Sequence, residues 1–247
     1  MDTHTDTKNA FRLLMVCSAI TVCLWFIPFA GAITYPFRMF VTLIHESGHA
    51  VAALLTFGEV RRITLDWSGS GLTETAGGLG FFISSAGYIG ATIFGASLLL
   101  ILRRAANART AAILTGCLLL SITIFLGGNL AAWTAGLFFG FGLLGLGIFA
   151  GQRFTHFFMS FLAVQSVLNA LYDLRTVLYL SAYDPGRPTD AQNMARATGN
   201  FVPAIVWSIG WAVLALAILA GTLFLYYKSL RRPSVNIEVY KAAGAHA

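Results

Sequence analysis

The chain has 247 residues, 57% of them hydrophobic and only 11% charged, and its mean hydropathy is +0.75. Soluble domains carry about 25% charged residues, and here the charges fall between long apolar runs, so an ordinary soluble domain is excluded and residues 1–247 read as one membrane-embedded unit. The net charge of +6 does not imply nucleic acid as a partner. Lys and Arg sit in short loops and near the end of the chain, where the lipid bilayer's headgroups and membrane orientation account for them.

In chain order, a polar leader precedes a first apolar run at 11–33, and no small-residue cleavage site follows it, so the run reads as a retained helix and not a signal peptide. Further apolar segments lie at 36–57, 79–102, 110–126, 129–150, 157–180 and 201–227. A spanning helix needs about 20 mostly apolar residues. The expected fold class is therefore all-α, a polytopic membrane helix bundle of six to seven spans. The count turns on Gly127-Gly128-Asn129, either a tight turn or a kink. Cys17, Cys23 and Cys117 all lie within apolar segments, with no CxxC pair to suggest a metal or disulfide framework.

Two polar stretches interrupt the apolar pattern. In 58–78, Arg62-Ile63-Thr64-Leu65-Asp66-Trp67 alternates, Ser68-Gly69-Ser70-Gly71 turns, and Leu72-Thr73-Glu74-Thr75 alternates again. The pattern predicts a small β-hairpin after the second helix, with a re-entrant Gly/Ser loop as the alternative. In the second stretch, Asp184-Pro185-Gly186-Arg187-Pro188 reads as a turn, followed by a short helix over 189–198 with Thr189 as its cap. Small residues four apart, such as Gly87/Ala91, Gly136/Gly140 and Gly147/Gly151, predict close helix packing. With seven spans, Arg103, Arg104, Arg109, Arg153 and the basic tail over 228–247 share a side, which the positive-inside rule assigns to the cytoplasm.

The chemistry lies in the helix expected over 36–57, which contains His45-Glu46-Ser47-Gly48-His49. On a helix of 3.6 residues per turn the two histidines share a face one turn apart, where both imidazoles can hold one zinc ion. Glu46 is free to act as general base toward a zinc-held water. Ionisable groups inside a span each cost roughly 2.5–3.5 kcal/mol, so they need partners or a wet cavity. Catalytic zinc takes three protein ligands and an open position. Asp173, inside the segment 157–180, is the favoured third ligand, and Asp190 and His156 are the alternatives. Asn169, four residues before Asp173, shares its helical face and is a candidate to orient a ligand or hold a substrate backbone.

At these residues the chain resembles the site-2 protease family of intramembrane zinc metallopeptidases, in particular its compact bacterial relatives. The resemblance rests on the HESGH span, an acid in a late span, Gly69-Ser70-Gly71-Leu72-Thr73 and Ala86-Gly87-Tyr88-Ile89-Gly90. It implies a multi-pass protein of a bacterial cell membrane that binds one Zn²⁺ per chain and cleaves membrane-protein substrates in or near their spanning segments. It implies zinc ligation by His45, His49 and an Asp on a later helix. The chain departs from the family's late Asp-Gly motif, since Leu174 follows Asp173 and no Pro lies nearby.

A helical substrate hides its carbonyls in its own hydrogen bonds, so it must be unwound before attack. An open strand edge at 63–67, with Ile63 and Leu65 as the pairing residues, would hold it extended. The alternative class is a non-proteolytic zinc-binding scaffold or transporter, though no inverted halves or paired broken helices are evident.

Overall fold

The structure, a computed structural model, describes residues 3–184 and 186–230. The basic tail expected over 228–247 therefore lies outside the described residues from 231 onward. Seven long helices are present among the described residues: α1 (Thr3–Phe26), α2 (Ala30–Leu55), α3 (Gly80–Ile101), α4 (Ala108–Leu126), α5 (Leu130–Phe149), α6 (Gln152–Tyr183) and, after a short helix α7 (Asp190–Ala197), α8 (Ala204–Leu230). Five of them, α3, α4, α5, α6 and α8, are long and apolar enough to cross a membrane. The expectation of six to seven spans included α1 and α2, and both form as long helices. α1 carries Asp6, Lys8 and Arg12, and α2 carries Arg38 and the HESGH group.

The Gly127-Gly128-Asn129 ambiguity resolves as a tight connection between two separate helices. Asn129 caps α5 by accepting a hydrogen bond from the amide of Ala132 at 3.0 Å. The α4–α5 seam is tight because its glycines leave room for it. A Cβ on Gly116 would lie 2.8 Å from the Gly140 carbonyl, and one on Gly147 would lie 3.0 Å from the Arg109 carbonyl.

The stretch 58–78 folds as a hairpin of β1 (Glu59–Leu65) and β2 (Gly71–Ala76), paired antiparallel with an irregularity between Val60 and Arg62. Its turn needs Gly69, whose φ is +92° and whose missing Cβ makes space for the Arg38 side chain. The hairpin runs back along α2. Tyr35 donates to the Trp67 carbonyl at 2.8 Å, Thr42 donates to the Gly69 carbonyl at 2.8 Å, and the amide of Gly58 donates to the Ala53 carbonyl at 2.8 Å. Tyr35 to Ala53 spans about 27 Å of helix, so the strands lie beside the HESGH turn and not beyond the end of α2.

The open edge expected at 63–67 is not present at its centre. Ile63 and Leu65 are buried. The Ile63 carbonyl accepts from the Gly128 amide at 2.8 Å, and Leu65 exchanges two bonds with the Asn129 side chain, its amide donating at 3.2 Å and its carbonyl accepting at 2.7 Å. The reason is the unpaired backbone of β1, which must be satisfied inside an apolar bundle. The α4–α5 turn supplies the partners. The sheet's free edge is therefore β2.

Candidate metal centre

His45 and His49 project from one face of α2 with their Nε2 atoms 3.0 Å apart. Asp190 Oδ2 lies 3.2 Å from the first and 3.4 Å from the second. Among the described residues these three form the group of ligand atoms close enough to share a metal ion. Tetrahedral zinc with bonds of about 2.0–2.2 Å keeps its donors roughly 3.3 Å apart, so the three separations suit that ion. The donor chemistry suits it too. His49 Nδ1–H donates to the Ile83 carbonyl at 2.6 Å, which leaves its Nε2 with a lone pair aimed into the group.

Asp190 arrives there because α7 packs on α3 and α8. Ala191, Met194 and Ala195 bury one face of α7 in a cluster with Leu174, Val177, Ala204 and Trp211. Thr189 caps α7, as expected, by accepting from the Gln192 amide at 3.2 Å. The carboxylate thus sits at a helix N-terminus, which favours negative charge. Burial works to raise the Asp190 carboxyl, but the positive charge of the His49 and His45 rings in their protonated form outweighs it and holds the group well below the usual carboxylate range; a metal ion would take the place of those ring protons.

Glu46 is buried beneath the hairpin. Thr73 of β2 places its hydroxyl 2.6 Å from Glu46 Oε2 and 2.9 Å from the Glu46 carbonyl. Gly71 lies so close that a Cβ there would come within 2.6 Å of Glu46 Oε1. On the other side, α3 crosses α2 where Gly48 meets the Ala86 backbone. One residue on, a Cβ at Gly87 would overlap both His45 Nε2 and His49 Nε2. The missing side chain is the space into which the imidazoles point.

The remaining expected residues lie as follows. Asp173 is half-buried on α6 within the electrostatic reach of His45 and Arg38, but it is not brought into the three-residue group. Asn169 turns its amide to its own helix, donating to the Gln165 carbonyl at 2.9 Å. His156 is buried elsewhere, with Nε2 2.8 Å from the Leu102 carbonyl. Sequence reasoning singled out neither Thr73 nor Gly87 for the site. Gly87 carried a signal as one of several small-residue pairs and within the Ala86–Gly90 stretch of the resemblance, and Thr73 as part of the alternation in β2 and within the Gly69–Thr73 stretch.

An apolar cleft of about 690 Å³ flanks the HESGH turn, lined by Ser47, Gly48 and Val51 of α2, Phe81 of α3, and Trp207 and Trp211 of α8. Two imidazoles and a carboxylate converging inside a bundle of apolar helices is the arrangement of a membrane metallopeptidase. Residues 13–222 match the Peptidase M50B-like family model, and the chain belongs to that family, which is of the site-2 protease type. It is an integral membrane protein. No curated protein and no solved structure matches the chain.

Proposed function

We propose that this chain is an intramembrane zinc endopeptidase that hydrolyses peptide bonds in or near the spanning segments of other membrane proteins. The observation that carries the reading is the convergence of His45, His49 and Asp190 next to Glu46, within an M50B-like membrane bundle. His45 Nε2, His49 Nε2 and Asp190 Oδ2 hold one zinc ion, with Asp190 in place of Asp173 as the third ligand. Zinc bound there supplies Lewis acidity toward water and the scissile carbonyl.

Glu46 is the general base. Its carboxylate, held by the Thr73 hydroxyl, takes a proton from the attacking water as oxygen adds to the carbonyl carbon. The same proton passes to the departing amine nitrogen as the C–N bond breaks. Water and peptide become acid and amine, and Glu46 is restored.

The free edge of β2 runs beside Glu46 through Thr73, so an extended substrate paired there has its carbonyls next to the base. The apolar cleft beside the HESGH turn suits the apolar remainder of such a substrate. α1 and α2 complete seven spans of a single unit over 1–247, and α2, at 26 residues, extends about 39 Å. The C-terminus is cytoplasmic, in a bacterial cell membrane.

The test uses the purified full chain and a synthetic peptide of about 20 Leu and Ala residues interrupted by Gly-Ser and labelled at both ends. Glu46→Gln keeps its zinc and loses cleavage by about 10²-fold or more. Cleavage at the wild-type rate by zinc-loaded Glu46→Gln would overturn the assignment.

A further inference from the structure

Tyr88 of α3 sets its aromatic ring against the metal group. It follows Gly87, the residue whose missing Cβ makes room for the imidazoles. Its ring meets His45 edge-on, with centroids 4.6 Å apart and planes at 79°. Its other side stacks on Trp211 of α8 at 5.5 Å and 29°. Trp211 is fixed in turn, since its indole N–H donates to the Ser85 hydroxyl at 3.1 Å. The phenol is therefore clamped between a metal-site histidine and a braced indole.

The contact of Tyr88 with His45 puts the ring at the border of the metal group, within electrostatic reach of Asp190, Asp173 and Glu46. Its hydroxyl makes no hydrogen bond to any described residue, and the buried unpaired side-chain polar atom among those residues is Trp207 Nε1, so the phenol's donor is uncommitted without being sealed in. A phenol is protonated at neutral pH and offers one O–H donor. A rigid ring with a spare donor beside the metal group is what a developing oxyanion requires.

We propose that Tyr88 is a further catalytic residue: its hydroxyl donates a hydrogen bond to the substrate's carbonyl oxygen and stabilises the negative charge that forms there. Tyr88 keeps its proton throughout. The attacking water's proton goes to Glu46 and then to the amine, so the bond changes are those already given. The inference rests on the peptidase reading and adds to it the donor that neither the histidines nor Glu46 supplies.

The experiment compares wild type, Glu46→Gln and Tyr88→Phe, each as the full chain in detergent, with the same Leu/Ala peptide and with its phosphinate analogue, whose anionic oxygen imitates the charged one. Tyr88→Phe retains zinc and binds the unmodified peptide within about twofold of wild type. Its kcat falls by about 10²-fold, and its preference for the phosphinate over the peptide falls by a similar factor.

Cleavage by Tyr88→Phe within threefold of wild type, with an unchanged phosphinate preference, would overturn the Tyr88 proposal alone, provided Glu46→Gln is inactive. Loss of zinc or of folded protein in Tyr88→Phe would show that the hydroxyl serves the structure and would overturn it too. A zinc-loaded wild type that neither cuts the peptide nor prefers the phosphinate would remove the peptidase reading, and the Tyr88 proposal with it.

Discussion

The two tightest seams of the bundle use the same device for different ends. Along α4–α5, Gly116, Gly140 and Gly147 let backbones approach, and what fills the space is more backbone and aliphatic side chain. Along α2–α3, Gly48 does the same against Ala86, but Gly87 opens onto two imidazole nitrogens. Small residues in a membrane helix therefore do not report function by themselves. What separates the seams is the polar cargo of α2, which has to find ligands and hydrogen bonds once it is out of water.

The largest effect that distinguishes the seams comes from adding one methyl group to each. Gly87→Ala puts a Cβ into the imidazole pair and should abolish both zinc binding and cleavage, read by metal content and peptide hydrolysis. Gly140→Ala crowds Leu120 and should leave zinc in place while costing about 1–3 kcal/mol of stability, read by thermal unfolding in detergent. Equal zinc loss in both variants would erase the contrast.

A smaller effect sharpens the link between hairpin and base. Thr73→Val removes the hydroxyl beside Glu46 Oε2. A hydrogen bond to a charged group contributes about 1.5–3 kcal/mol, so kcat should fall roughly tenfold to a hundredfold with zinc content unchanged. An unaltered kcat would show that Glu46 is oriented without the hairpin.

The smallest effect concerns the seam that holds β1. Asn129→Ala leaves the Leu65 amide and carbonyl without their side-chain partner and removes the α5 cap. The expected cost is about 2 kcal/mol in unfolding, with cleavage retained at lower temperature. Full loss of activity at every temperature would mean that β1, and not β2, presents the substrate.

Much of this was legible in the sequence. Runs of about 20 apolar residues mark the long helices, although the first run, 11–33, straddles the α1–α2 break at 27–29; the alternation in 62–67 and 72–75 marks the hairpin, and Thr189 marks the start of α7. His45, Glu46 and His49 are readable because helical spacing alone puts both rings on one face. The proposed third ligand across the bundle is harder to read. Asp173 is favoured from sequence because it lies inside a span, where a carboxylate needs a cation. Asp190 lies in a polar stretch that reads as surface until α7 folds back onto α3 and α8. No local pattern encodes that return. The capture of the β1 edge by Asn129, 64 residues away, is equally non-local.

The central claim is that one cation is shared by two histidines on α2 and the carboxylate that opens α7. Metal analysis of the purified full chain beside His49→Ala, Asp190→Ala and Asp173→Ala tests it directly. Wild type and Asp173→Ala should each carry one zinc per chain, and His49→Ala and Asp190→Ala should carry none after dialysis against a weak chelator. Zinc retained by Asp190→Ala and lost by Asp173→Ala would contradict the account.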